Sequence, residues 1–495
     1  MKAKKAMKAT LAWLLALALA ILMPLSGLAE TNTAGEMPGE PPSGGMPGGD
    51  FPGEPPSGEM PGGEMPGEPP SGEMPGEPPS GGMPGGQSGS FEYAAATTIT
   101  EAAEATGETY ASGTADESAL IVDTEGEVAL TDLTVTKTGD SDGGDNCNFY
   151  GLNAAVLAMG GGSTVIEGGT VTSDASGANG VFCYGGNGGQ NGAEGDGTTL
   201  IITGTAITTT GDGSGGIMTT GGGTTYAYGL TVDTSGRSSA AIRTDRGGGT
   251  VVVDGGSYTS SGLGSPAIYS TADITVKNAT LTSALSEGVC IEGKNSITLE
   301  NCDLTAENTQ TNGHATFLDT IMIYQSMSGD ADSGTSAFTM TGGSLTSRSG
   351  HVFHVTNTSA VITLSGVEIV NEDAGGVLLS VCDDGWEGAG NQAVLNAEGQ
   401  TLEGDILVGE NAVFTLNLTE GSAFTGRILG EIENTLGETV STQTGDVTVT
   451  LEEGCTWALT GDSWVSRFEG DPANVIANGY TLYVDGEALT GLTEA

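Results

Sequence analysis

Apolar residues recur along this chain with a fixed internal spacing. In six segments they occupy offsets 0, 2 and 7, and offset 4 is always glycine or asparagine. The six segments run over 200–207, 251–258, 274–281, 297–304, 338–345 and 362–369. Offsets 0 and 2 lie on one face of a strand, and glycine or asparagine accepts the positive φ that a sharp bend requires. Each segment therefore predicts two short strands that are joined by a bend.

A second pattern lies between these segments, where a β-branched residue begins another short apolar run. Ten such residues occur at spacings of 21 to 36 residues. They are Val156, Val181, Ile217, Ile242, Ile268, Val289, Ile321, Val352, Val377 and Ile406. Together the two patterns give three strands per repeat, and one repeat cannot bury its apolar faces alone, so the repeats must stack.

The fold class predicted from these patterns is all-β, a parallel β-helix of roughly ten to twelve coils over 91–450. Right-handed winding follows from the usual crossover preference. Further coils and a cap that covers the last open sheet edge are expected over 451–495.

The bend column and the stacked Val/Ile columns resemble the pectate-lyase-like right-handed parallel β-helix superfamily, in particular its adhesin-like secreted members. The stretch LEEGCTWALTGDSWVSRFEG over 451–470 is similar to the Trp-x-Leu-x-Gly-x-Ser stretch of autotransporter passenger rods. The resemblance implies a non-enzymatic binding role. Enzymes of the superfamily imply the alternative, a polysaccharide lyase or glycoside hydrolase, and a structural cell-surface component is a third reading.

The N-terminal region predicts export. A basic head, an apolar run and small residues near Ala29 indicate a signal peptide over 1–29. Residues 30–90 form a low-complexity linker that repeats PGEPPSG and holds fifteen of the 18 prolines. We therefore expect a secreted protein, extracellular or associated with a bacterial cell surface.

The net charge of the chain limits the classes of partner that it can bind. The chain has 13 Lys plus Arg and 63 Asp plus Glu, and four of the lysines lie within 1–29, so the mature chain would carry a net charge of about −54. Such a surface repels nucleic acid and anionic lipid. No membrane span is expected, and the predicted partner is a glycan or a cell-surface partner; neutral glycans are compatible with this charge. Six cysteines without a Cys-x-x-Cys pair predict at most one or two disulfides.

The outward face of the first strand of each coil is unusually apolar and aromatic for so acidic a chain. Aromatic rings can stack on sugars, so this strip is the predicted binding face. The predicted binding residues are Phe182, Tyr184, Arg243, Tyr269, Tyr324 and Phe353. The alternative is that loops, or the segment near 91–115, fold over the strip.

The alternative catalytic set is Arg243, Asp245 and Glu292. The two acids fall in one outward column two coils apart, roughly 9.6 Å by strand spacing, close to the separation in an inverting glycosidase. The acid triplet that frames the basic residue of family lyases is missing here. The pair Asp383–Asp384 resembles part of a polygalacturonase motif, but it follows His351 in the wrong order, which favours a solvated turn.

Two features of the sequence bear on metal binding. His351 and His354 are three residues apart on a strand, so they are expected on opposite faces, with His354 in the core. The acidic loops 139–148 and 327–336 are compatible with calcium, against the alternative of solvated turns. No other cofactor is expected.

Overall fold

The computed structural model describes residues 92–494, so the predicted signal peptide and linker lie outside the described residues. Within this range the chain forms a parallel β-helix. The first sheet has thirteen parallel strands, one from each successive coil. These strands are Ala94–Ile99, Glu117–Asp123, Val156–Met159, Val181–Tyr184, Ile217–Thr220, Ile242–Thr244, Ile268–Ser270, Val289–Glu292, Asp319–Tyr324, His351–Thr356, Val377–Val381, Asp405–Val408 and Ile428–Leu429.

The second sheet contains the strands on both sides of the bend, and four of its members run through the bend without interruption. Its twenty strands are Ala103–Thr106, Thr109–Ser112, Glu127–Thr131, Thr134–Lys137, Ser163–Glu167, Thr170–Ser173, Thr199–Thr203, Ala206–Thr209, Gly223–Thr234, Gly249–Ser260, Asp273–Lys277, Thr280–Ser283, Ser296–Ala306, Thr335–Ser347, Ser359–Ser365, Glu368–Asn371, Asn391–Glu398, Ala412–Thr419, Asp446–Leu451 and Arg467–Glu469.

Three smaller sheets complete the C-terminal part. A four-stranded parallel sheet comprises Thr401–Glu403, Ala423–Thr425, Thr456–Ala458 and Val475–Ile476. An antiparallel hairpin joins Glu431–Glu433 to Thr439–Thr442, and a last sheet comprises Ser463–Val465, Leu482–Val484 and Glu487–Ala488. The helical elements are a helix at Asp145–Phe149 and a 3-10 helix at Pro472–Asn474. None of the helices within 92–494 is long and apolar enough to cross a membrane.

The predicted aliphatic columns are confirmed in the middle of the stack. Ile242 pairs in register with Ile268, and Ile268 pairs with Val289. All three side chains are completely buried in one core that continues along the described coils. Burying a side chain of this size stabilises a fold by about 1.5–3 kcal/mol, so each buried member of the stacked columns adds to the stability of the β-helix.

The predicted bends are confirmed as well. All six offset-4 residues have φ between 52° and 73°, the left-handed region where glycine and asparagine are least strained. They are Gly204, Gly255, Asn278, Asn301, Gly342 and Gly366.

At another corner, buried serines connect successive coils. The Ser239 hydroxyl donates to Gly211 O at 3.1 Å and accepts from Ser214 N at 2.9 Å, and the Ser265 hydroxyl accepts from Ser239 N at 2.8 Å. These bonds satisfy backbone groups that the turn leaves without strand partners. The six cysteines are all buried and free.

Candidate functional site

The N-terminal part of the outward strip is covered. Phe182 has no exposed surface and Tyr184 is 8% exposed. Both belong to a second apolar cluster with Phe149 and Tyr150, which come from the helix Asp145–Phe149 and the residue after it. The alternative of internal cover therefore describes this region, although the cover comes mainly from the loop after residue 138. Contact of Phe182 with a ligand would require the loop to move away.

Phe353 is also not an outward residue. The sequence pattern placed Val352 next to Ile321, but the structure pairs Ile321 with Phe353, and Phe353 with Leu379. Phe353 is completely buried, and its ring makes an edge contact with Phe338 at 5.8 Å between centroids. The outward placement of Phe353 that the sequence pattern predicted was therefore wrong, because the alternation of inward and outward residues is shifted by one position in this strand.

In the middle of the strip, Arg243 and Tyr269 occupy neighbouring outward positions. The guanidinium of Arg243 pairs with Asp245 at 2.6 Å, and its central carbon lies 5.4 Å from the Tyr269 ring centre. A small cleft of about 180 Å³ opens beside them, and it is also lined by Pro266 and Asn312. Arg243 donates a further bond to Ser238 O at 3.0 Å. These contacts fix the guanidinium in the wall of the cleft.

Glu292 lies one strand beyond Tyr269 and accepts hydrogen bonds from several hydroxyl groups. Tyr269 donates at 2.5 Å, Tyr324 at 3.3 Å and Ser328 at 3.2 Å, and Ser326 donates as well. The carboxylate is 1% exposed. The structure thus brings together the predicted Tyr269, Tyr324 and Glu292, and it covers them with the loop that carries the two serines.

Burial is the main cause of the pKa shifts of Asp245 and Tyr269 in this part of the outward strip. Burial raises the pKa of Asp245 to about 6; Arg243 lowers it and Asp330 raises it further. Burial, then the negative charge of Glu292, holds the pKa of Tyr269 well above its usual value. Both carboxyl groups of the alternative catalytic set are buried and bonded to protein groups. This arrangement favours a structural network over a pair of carboxyl groups that act on a substrate.

The two strand histidines are close together, contrary to the prediction that they lie on opposite faces. Nδ1 of His351 and Nδ1 of His354 both lie 2.7 Å from the Ser380 hydroxyl. His354 pairs in register with Met322, in the outward column. It is nevertheless completely buried, because Phe317 covers it at 4.8 Å between ring centres. The expected burial of His354 is confirmed, but the neighbours differ.

Asp384 belongs to the same cluster and is not in a solvated turn. Its side chain is fully buried, with Oδ2 at 3.4 Å from Nε2 of His354. The other oxygen accepts from the Thr316 backbone N at 2.8 Å and from the Thr316 hydroxyl at 2.7 Å. Burial acts to raise the pKa of Asp384, but the nearby His354 and the hydrogen bonds from Thr316 outweigh it and lower the pKa. The cluster fastens the loop around Thr316 onto the first sheet.

The acidic loops are engaged with basic side chains or backbone groups. Asp330 pairs with Arg246 at 2.6 Å, and Asp332 pairs with Lys294 at 2.8 Å. Asp140 accepts from the Ser176 backbone N at 2.8 Å. Within 92–494, no three His, Cys, Asp or Glu side chains are grouped so that they could hold a metal ion.

A cleft lies near the C-terminal end, where exposed aromatic rings gather. It has a volume of about 930 Å³ and is lined by Trp464, Tyr480 and Tyr483, with Arg427 and Asp462 among the polar groups. Trp464 and Tyr483 are register partners on the last sheet, and their rings stack at 5.6 Å with planes 9° apart. Trp464 is 42% exposed and Tyr480 is 44% exposed.

Sequence reasoning missed this site. The strand Ser463–Val465 has only three residues, and its two ends are buried while Trp464 points outward. The signal was the single tryptophan between two buried neighbours, but the segment was assigned to the cap as a whole. Trp457, seven residues earlier, is completely buried and donates to Gly426 O at 3.0 Å.

Comparisons of this chain with protein-family models, with curated proteins and with solved structures found no match. The class of the protein is therefore defined by its fold, a parallel β-helix.

Proposed function

We propose that this protein binds extracellular glycans without cleaving them, in the manner of a secreted adhesin-like β-helix. The observation that carries the proposal is the stacked pair Trp464 and Tyr483 in the wall of the C-terminal cleft. Exposed flat rings provide the apolar surface on which sugar rings stack, and the surrounding polar groups can orient hydroxyl groups. The proposed binding site is therefore this cleft and not the outward strip that the sequence predicted.

The charge of the chain limits the ligand. The chain has 63 acidic and 13 basic residues, so its overall negative charge repels a polyanion but does not repel a neutral glycan. Arg427 is among the few basic residues, and it is held by Asp405 at 2.9 Å. A neutral polysaccharide is therefore the preferred ligand class.

The enzyme alternative has less support. Asp245 and Glu292 are 2% and 1% exposed, and each is bonded to protein groups. A substrate would have to displace the loop that contains Ser326 and Ser328 before it could reach Glu292.

A panel of immobilised neutral and acidic polysaccharides, with analysis of released products, tests the proposal. We expect retention on at least one neutral polysaccharide, with no new reducing ends and no unsaturated products. Product release that disappears in Asp245→Asn would instead support a lyase or hydrolase. Absence of retention on every polysaccharide would contradict glycan binding and leave the structural cell-surface role.

A further inference from the structure

A lysine is buried in a corner of the β-helix near its N-terminal end. Lys137 ends the strand Thr134–Lys137 and has no exposed surface. Its amine donates to Thr114 O at 3.0 Å and to Gly139 O. It forms no ion pair with any carboxylate of the described residues. Burial lowers its pKa, and the charge of Glu117 is the largest effect that opposes this. A buried amine of this kind is rare, because losing water disfavours its charged form.

An asparagine side chain points at the same backbone oxygen. Asn153 is 1% exposed, and its Nδ2 donates to Gly139 O at 2.9 Å. Its Oδ1 is buried and has no hydrogen-bond partner. Two donors on one oxygen cannot lie more than roughly 6 Å apart, the sum of two hydrogen-bond lengths. The amine of Lys137 and the carboxamide of Asn153 are therefore neighbours in a water-excluded corner.

The unsatisfied side-chain oxygen distinguishes Asn153 from Asn179, the asparagine in the next coil. Asn179 is also buried, but its Oδ1 accepts from Gly215 N at 2.7 Å and its Nδ2 donates to Cys147 O at 3.1 Å. Both ends of the Asn179 carboxamide are thus satisfied within the stack. The unsatisfied carbonyl of Asn153 is a local feature of the corner that contains Lys137, and such groups are costly when buried.

We propose that Lys137 and Asn153 form an intramolecular isopeptide bond. The lone pair of the neutral Lys137 amine attacks Cγ of Asn153, and a bond forms between Nζ and Cγ. The bond between Cγ and Nδ2 breaks, and a proton from Nζ passes to the departing nitrogen, which leaves as ammonia. No oxidant, reductant or other reactant is needed, and the buried lysine becomes part of a neutral amide.

Glu117 is the acidic group placed to carry the proton. It begins the strand Glu117–Asp123, and its Oε1 accepts from the Ser112 hydroxyl at 2.8 Å. Ser112 is the register partner of Lys137 on the adjacent strand, so the carboxylate lies at the same corner. A carboxylate can take a proton from the attacking amine and return it to the leaving nitrogen. Glu117 is therefore assigned as the proton carrier of the bond-forming step.

Peptide mapping of the folded, full-length protein tests the bond. A protease that cleaves before aspartate separates Lys137, in the peptide 132–139, from Asn153, in the peptide 145–173. We expect the two peptides to remain joined, with a mass lower by one ammonia than their sum. Glu117→Gln should reduce the joined fraction severalfold. Lys137→Met should abolish it, and Lys294→Met, which changes an exposed lysine, should leave it intact.

Separate peptides of unmodified mass in the folded wild-type protein would overturn the proposal. Ammonia loss confined to the peptide 145–173 and still present in Lys137→Met would show an internal succinimide instead, and that also contradicts it. If Lys137→Met does not fold, Asn153→Ser removes the electrophile while keeping a small polar side chain. The wild-type map decides the question even if both variants fail to fold.

Discussion

Arg243 and Asp245 form an ion pair of 2.6 Å on the first sheet, with side-chain exposures of only 14% and 3%. Each is therefore the main partner that compensates the buried charge of the other. The pair lies next to the Tyr269 and Glu292 contacts, so the middle of the outward strip is held by a connected polar network. Removing one member of such a buried network is strongly destabilising, because it leaves a buried polar or charged group without its partner.

Removing one partner of this pair should give a pH-dependent loss of stability. Arg243→Met leaves the Asp245 carboxylate buried and unpaired, which should cost roughly 3 kcal/mol in the free energy of unfolding at pH 8. Burial raises the pKa of Asp245 to about 6, although Arg243 lowers it and Asp330 raises it. The pKa of Asp245 in the folded protein is thus above its value in the unfolded chain, and at pH 5 the folded variant holds Asp245 in its neutral, protonated form. The loss of unfolding free energy caused by Arg243→Met should therefore be smaller at pH 5 than at pH 8.

Denaturant unfolding at the two pH values measures this difference. Arg467→Met is the control, since Arg467 and Glu469 form a 3.7 Å pair that is largely exposed, and we expect no measurable change from it. An equal loss at pH 5 and pH 8 for Arg243→Met would contradict the role assigned to the charge of Asp245.

A second pH effect is expected from Asp319. Burial, then Glu287 and Asp384, hold the pKa of Asp319 well above its usual value, and its Oδ1 has no hydrogen-bond partner. The folded protein keeps a proton that the unfolded chain releases above about pH 4, so this group lowers stability as the pH rises. Asp319→Asn should therefore lose less stability than the wild type between pH 5 and pH 8.

Urea unfolding across this pH range, with Asp332→Asn as the control, measures the slope. Asp332 is a half-exposed acid paired with Lys294, so its variant controls for the removal of one carboxylate from the protein. An Asp319→Asn slope identical to that of the wild type would show that Asp319 is not a source of the pH dependence.

Phe353 provides a test of the strand phase. Its ring is completely buried against Phe338, so Phe353→Ala should cost about 3–5 kcal/mol in the free energy of unfolding. Glycan retention by the folded variant at low temperature should be unchanged, because the ring faces the core. Met327→Ala, which truncates a side chain that is 61% exposed, is the control and should change neither property. Lost retention with unchanged stability would restore the outward placement of Phe353.

The fold could be predicted because its determinants are local and repeated. The bend at Asn278 and the buried column through Ile268 are each visible in a window of a few residues, and stacking repeats them from coil to coil. The loops are different, because their sequences do not repeat. Nothing near Phe149 indicates that this ring would cover Phe182 more than 30 residues later in the chain.

The site was harder to predict for two physical reasons. First, a shift of one residue in the pairing of a strand turns its inward positions outward and its outward positions inward. This is why Phe353 and His354 were assigned to the wrong faces. Second, the aromatic cleft depends on where Trp464 and Tyr483 meet across two three-residue strands, too short to show a period. Arg243, Tyr269 and Glu292 were brought together as predicted because they lie within regular coils.

Retention on the best neutral polysaccharide, compared between wild type and Trp464→Ala, tests glycan binding by the C-terminal cleft most directly. Burying a large apolar side chain is worth roughly 1.5–3 kcal/mol, so loss of the indole from the contact with the sugar should lower the affinity about tenfold or more. Tyr480→Ala should weaken retention in the same direction, and Met327→Ala should not change it. Undiminished affinity in Trp464→Ala and Tyr483→Ala, with wild-type stability, would contradict binding at this cleft.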